Sequence, residues 1–303
     1  MTTFTKTGLA MTLLLLGSGS SFAQTQGTVP VETIYSDAQR EKDFTASSRM
    51  VETMLAPSHS IDNQYARWKH PVCPHVYGLT PVAAWVIEHR IREVARQVGA
   101  QVDHNDPCIA NIGIIFSAQP QASLESIATK SPFLLAGGSQ KVVVKYPVQA
   151  WYATFKVDYD GYKTLDVPWE IADPAREESA AGGPQVAAND SRLHTGLTSE
   201  MGAATVLVDS KAVTGMSLGE LADYLALMTL AQASQYGVCQ PMTTVANLML
   251  DTCPAQEVTR ALSHADIALL TALYAVPDQP EILQKQRIVG AMRRSMEQQF
   301  GKD

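Results

Sequence analysis

Residues 1–23 carry the pattern of a secretory signal, and that pattern restricts the rest of the chain more than any other feature. Lys6 supplies the positive start, Leu9 to Leu16 a short apolar core, and Ser21-Phe22-Ala23 a small-x-small cleavage site. The apolar stretch is shorter than the roughly 20 residues a bilayer span needs. The mature chain is therefore expected to begin at Gln24 and to fold in an oxidising periplasmic or extracellular compartment. There the cysteines Cys73, Cys108, Cys239 and Cys253 are expected to form disulfides; the C-x2-C spacing of a zinc site is missing. Of the possible connectivities, the local pairs Cys73–Cys108 and Cys239–Cys253 are favoured. The second closes a loop of about 15 residues, which contributes about 3 kcal/mol in the chain-entropy model.

The 303-residue chain has a formal net charge of −7, which argues against nucleic acid or an anionic membrane surface as partner. No apolar run beyond the signal is long enough to span a membrane, so no integral membrane segment is expected in the mature chain. After an N-terminal segment over 24–56, residues 57–303 are expected to form one domain. An exposed loop is expected near 173–190, where Glu, Ala, Gly and Pro dominate.

Periodicity places a surface helix over 37–54. A second helix begins after Thr80 as N-cap with Pro81 in its first position, carries an apolar stripe from Trp85 through Ile87, Ile91 and Val94 to Val98, and ends at Gly99. Strands are predicted over 111–116, 141–146, 150–157 and 203–209, with a short helix over 122–129 and a turn at Asp160-Gly161. Helices over 218–233, 243–250, 264–274 and 281–300 follow. The predicted class is α+β, a mixed sheet followed by a mainly helical C-terminal part.

Several motifs touch on chemistry. Gly215-Met216-Ser217-Leu218-Gly219 fits G-x-S-x-G, with Asp251 and His264 downstream in hydrolase order. That reading makes Ser217 a nucleophile, His264 its base and Asp251 the orienting acid. The competing reading makes Ser217 an N-cap and Glu220 the second half of a capping box, Ser-x-x-Glu. A metal-dependent hydrolase would need ligands drawn from distant loops, such as His70, His75 and His194, since no H-E-x-x-H occurs. Glu88 and His89 read as a solvated helix face. Asp158-x-Asp160-Gly161 reads as a hairpin turn, not a calcium loop. The aromatics Trp151, Tyr152, Tyr159, Tyr162 and Trp169 read as cross-strand packing.

Three segments carry a resemblance: Asn111–Phe116, Ala203–Leu227, and Leu262-Ser-His-Ala-Asp-Ile-Ala-Leu-Leu-Thr-Ala-Leu-Tyr274. Their order resembles zincin-like metallopeptidases, and more narrowly exported bacterial proteins of unknown function that keep this layout without the zinc motif. The resemblance implies that Ala203–Asp209 is an edge strand over a groove and that the helix from Leu218 lines it. Where a peptidase carries His-Glu-x-x-His, this chain reads Glu220-Leu-Ala-Asp-Tyr-Leu-Ala-Leu, so zinc has no ligands there. The implied protein is a non-catalytic binding or accessory protein on a degenerate zincin-like scaffold, with no metal and no cofactor. Its groove would be formed by Thr205, Leu207, Asp209, Glu220, Asp223 and Tyr224, and would take a peptide or envelope protein by strand addition.

Overall fold

A computed structural model describes residues 31–57, 63–105, 107–135, 143–158, 163–166, 196–234 and 238–300. The signal over 1–23, His59, His194, the Asp160-Gly161 turn, Tyr159, Tyr162, Trp169 and the loop over 173–190 lie outside these residues. The chain divides into two compact units, Met1–Ala38 and Gln39–Asp303. The division falls inside the first helix, α1 (Val31–Met54). Of the first unit, the described part is the opening of α1. Everything below concerns the second unit.

The second unit is a mixed α/β arrangement on a five-stranded sheet. Its strands are β1 (Pro74–Tyr77), β2 (Ile112–Ser117), β3 (Val148–Asp158), β4 (Lys163–Asp166) and β5 (Leu197–Asp209), in the spatial order β1-β2-β5-β3-β4. The pairs β1–β2 and β2–β5 are parallel, and β5–β3 and β3–β4 are antiparallel. The helices after α1 are α2 (Pro81–Val98), α3 (Pro120–Lys130), α4 (Leu218–Leu230), α5 (His264–Ala275) and α6 (Glu281–Phe300).

Strand β1 is short and begins at a proline, which hid it from a reading based on periodicity. Its presence makes β1–α2–β2 a parallel crossover unit, where the sequence suggested no βα alternation. Helix α2 has the predicted ends. The Thr80 hydroxyl accepts from Ala83 N–H, Pro81 opens the helix, and Gly99 closes it at φ 90°. Glu88, expected on a solvated face, instead covers the outer edge of β1. Its carboxylate accepts the Val76 N–H at 2.8 Å, while Arg92 donates to Pro74 O at 3.3 Å. Pro74 itself has no N–H to offer. The edge is thereby closed to another strand. The Cys73–Cys108 disulfide lies beside this edge. Gly78 follows at φ +85°, and a Cβ there would sit 2.2 Å from Phe116 O. Gly78→Ala is expected to destabilise the protein by more than about 1 kcal/mol in urea unfolding, since both the backbone and the space oppose it.

Residues 143–146, the described part of the strand predicted over 141–146, form none. Among them, Val144 N–H is taken by Gln121 and Lys145 N–H by Gln149 side chains. Strand β5 begins six residues earlier than predicted, at Leu197, because β3 pairs with its polar first half as well. The register slips between Ala153 and Thr154, which leaves Gly202 as a bulge. A Cβ at Gly202 would lie 2.0 Å from the Phe155 ring.

Alternation along the strands sorts the two faces. Ala204, Val206 and Val208 of β5 join the main core with α2, α4, α5 and α6. Leu207 packs on the other face with Leu124 of α3 and Leu135, and Trp151 of β3 leans on the same small cluster. Helix α4 is buried from Leu221 to Leu230, including Asp223, as a helix enclosed on all sides should be. Its last carbonyls need donors, and three aromatic side chains supply them. Tyr152 O–H donates to Met228 O (2.6 Å), Trp68 Nε1–H to Thr229 O (2.8 Å) and Tyr274 O–H to Leu230 O (2.7 Å). The helix predicted over 243–250 is a short 3-10 turn, Val245–Met249, inside the loop closed by Cys239–Cys253.

Candidate functional site

Both disulfides pair as the local spacing favoured, Cys73 with Cys108 and Cys239 with Cys253. The groove expected beside Ala203–Asp209 does not exist, because that stretch is central. Parallel β2 occupies one side and antiparallel β3 the other, so no peptide can add to it. Period-2 geometry also separates the chosen residues. Leu207 faces α3, and Thr205 is buried. Asp209 accepts the Lys211 and Ala212 N–H groups as the cap of a turn. Glu220, Asp223 and Tyr224 belong to α4, which packs with the opposite face. Glu220 is held by Arg260 at 2.7 Å, which lowers its pKa, and by the capping box. Asp223 is buried, paired with Arg90 Nε at 2.6 Å, and accepts the Leu262 N–H.

The serine-hydrolase set is not assembled either. The Ser217 hydroxyl accepts the Glu220 N–H and the Glu220 carboxylate accepts the Ser217 N–H, so the capping box occupies both. His264 Nε2 lies 3.0 Å from Ser295 Oγ and 3.1 Å from its carbonyl, on α6. Asp251 is exposed near the tip of the Cys239–Cys253 loop. Ser217→Ala is therefore expected to cost about 1 kcal/mol in urea unfolding as a lost helix cap, and Ser217 to remain unlabelled by a fluorophosphonate.

The histidines are apart. His70 Nε2 lies 2.6 Å from Lys163 Nζ and 3.4 Å from Glu200, while His75 meets Glu88 and the Tyr77 ring. His194 lies outside the described residues. Among the described residues no three His, Cys, Asp or Glu side chains gather closely enough to hold a metal ion.

What the fold does build is a small cleft of about 40 Å³ beside α4. One wall is Tyr224 and Met228 of α4, one turn apart on the same face. A second is Tyr146-Pro147-Val148, where the chain enters β3. A third is Met54 at the end of α1, with Ser234, whose N–H donates to Met54 O at 2.8 Å. The disulfide loop closes the fourth side with Val238, Gln240, Ala246, Met249 and Leu250. One predicted groove residue, Tyr224, is thus in the cleft. The opposing wall is the start of β3 and not β5.

Asn247 and Asp266 hold the fourth wall in place. Asn247 is fully buried at the centre of the loop. It accepts the Gln240 N–H (2.8 Å) and donates to Gln240 O (3.1 Å) and Glu257 O (2.9 Å). Asp266, on α5, accepts from the Thr244 hydroxyl, Val245 N–H (3.0 Å), Ser263 N–H (2.8 Å) and the Ser263 hydroxyl (2.9 Å). The Ser-x-x-Asp spacing of Ser263 and Asp266 is a capping box, and it was the available signal.

The cleft is neutral: no Asp, Glu, Lys, Arg or His is among its described lining residues. Three methionines supply an adaptable apolar surface. Tyr224 is 7 % exposed and its hydroxyl has no hydrogen-bond partner among the described residues. Burial pushes its pKa up, so the group stays a neutral phenol with a proton to donate. Comparison with known families, curated proteins and solved structures returns no match for this chain.

Proposed function

We propose that this chain is an exported, non-catalytic binding or accessory protein that holds a neutral apolar group of a peptide or envelope protein in the cleft between α4 and the start of β3. The observation that carries this reading is the neutral, methionine-lined cleft itself, with the Tyr224 hydroxyl on its wall free to donate to a ligand. An apolar ligand with a carbonyl acceptor can take a hydrogen bond from that hydroxyl, whereas a charged one would lose its hydration for no counter-charge. Two disulfides, and no helix among the described residues long and apolar enough to cross a membrane, support export into an oxidising compartment.

The test is a calorimetric titration with two blocked peptides, acetyl-Ala-Leu-Ala-amide and acetyl-Ala-Asp-Ala-amide. The leucine peptide is expected to bind with Kd of about 1 mM and the aspartate peptide not to bind. Equal binding of both, or of neither, contradicts the reading. Tyr224→Phe is expected to weaken the leucine peptide by roughly 2- to 10-fold, the worth of one hydrogen bond, while leaving the urea midpoint no lower.

A further inference from the structure

The cleft is closed by the loop that the Cys239–Cys253 disulfide ties together. We infer that Cys239–Cys253 is a redox gate on the cleft, and that its reduction by a dithiol opens the cleft to the apolar group; this rests on the binding reading above.

Size comes first. At about 40 Å³ the cleft has room for water, whereas an apolar cavity that takes a benzene-sized group is on the order of 150 Å³. A side chain can enter fully only if a wall moves. The sequence positions of the lining residues show which wall can. Val238 and Gln240 flank Cys239, and Met249 and Leu250 lie shortly before Cys253, whose N–H donates to Leu250 O at 3.3 Å. The S–S bond therefore clips the two rims of the cleft to each other.

Cutting that bond need not unfold the loop. Asn247 keeps its bonds to Gln240 and Glu257, Val245 N–H keeps Asp266, and Thr243 Oγ1 keeps Gln256 O at 3.0 Å. What loses its tether is the tip, Leu250–Cys253, together with exposed Val238. Access also distinguishes the two disulfides. Cys239 and Cys253 are half-buried beside exposed Val238, Asp251 and Thr252. In the other bond Cys73 is 2 % exposed and Cys108 is half-buried, so that bond has one accessible sulfur against two in the loop. An incoming thiolate reaches the loop disulfide more readily.

The chemistry balances as thiol–disulfide exchange. A dithiol's thiolate attacks one sulfur and displaces the other as thiolate. The dithiol's second thiol then resolves the mixed disulfide. The protein gains two electrons and two protons, and the dithiol leaves as its own disulfide.

The experiment compares three samples: the native protein, the native protein treated with dithiothreitol until peptide mapping shows Cys239–Cys253 reduced and Cys73–Cys108 intact, and the Cys239→Ser/Cys253→Ser variant. Each carries ¹³C-methyl methionine and is titrated with acetyl-Ala-Leu-Ala-amide. The expected result is a shift of the Met249 and Met228 methyl resonances on reduction, with affinity at least about tenfold tighter. Unmoved resonances with equal affinity in all samples overturn the gate and leave the binding reading standing. Shifted resonances with no binding in any sample overturn the binding reading, and with it the gate as a control of ligand entry, though the tip moves. If the serine variant fails to fold, the reduced native protein gives the same comparison.

Discussion

Asp266→Ala is expected to destabilise the protein by about 3–5 kcal/mol in urea unfolding, among the largest single effects available in this fold. The carboxylate is fully buried and joins three segments: Thr244 and Val245 of the disulfide loop, Ser263 before α5, and α5 itself. Alanine leaves two backbone N–H groups and two hydroxyls facing a void. Asp266→Asn should cost far less. Its amide oxygen can accept from Val245 and Ser263, and its NH2 can donate to the Thr244 hydroxyl. A pH series separates charge from shape. Burial raises the folded-state pKa of Asp266 above the ordinary 3.8. The folded protein then binds the proton more tightly than the unfolded chain does. The associated stability is fully present below pH 3.8 and is lost as pH rises through the raised folded value. The asparagine variant lacks this titration, so its deficit relative to wild type should shrink as pH rises from 3.8 upward. A deficit that grows over that range would contradict the account.

Asn247→Ala is expected to cost about 3 kcal/mol and to loosen the cleft, since the buried Gln240 carbonyl and N–H both lose their partner, each worth about 1–3 kcal/mol when left unmet, and the Glu257 carbonyl is left with the Thr244 N–H alone. The affected groups, on Gln240 and Glu257, lie on either side of the disulfide loop. The S–S bond would still hold Cys239 to Cys253. Hydrogen exchange of the Gln240 and Leu250 amides should therefore speed up while α2 and β2 stay protected. Equal acceleration throughout would mean Asn247 supports the whole fold and not this loop.

The sequence showed its local chemistry clearly and its sheet order poorly. Thr80, Pro81 and Gly99 bound α2 as written, and Ser217 with Glu220 starts α4, because caps depend on neighbours within four residues. The disulfides were legible because each joins cysteines that follow one another along the chain, at separations of 35 and 14 residues. Ala203–Asp209 was recognised as a strand from its alternation, but alternation says nothing of which strands lie beside it. Its place between β2 and β3 is set by contacts about 50 to 90 residues distant in sequence, as in the pairs Trp151↔Thr205 and Ile114↔Val206. That reading left the expected groove without an open strand edge, while Tyr224 lines the cleft beside α4. Strand β1 and Glu88 were missed together: four residues starting at proline give no period, and the glutamate that covers their edge looks like any surface charge.

The measurement that tests the central claim most directly is a methyl-methionine NMR titration of the native protein with acetyl-Ala-Leu-Ala-amide to a few mM, near the expected Kd of about 1 mM. Met54, Met228 and Met249 line the cleft, whereas Met201 and Met292 are buried without lining it. The account predicts saturable shifts of the first three methyls with the last two unmoved, and weaker saturation in Tyr224→Phe. Shifts absent from Met54, Met228 and Met249, or spread evenly over all five, would show that the cleft beside α4 is not where this protein binds.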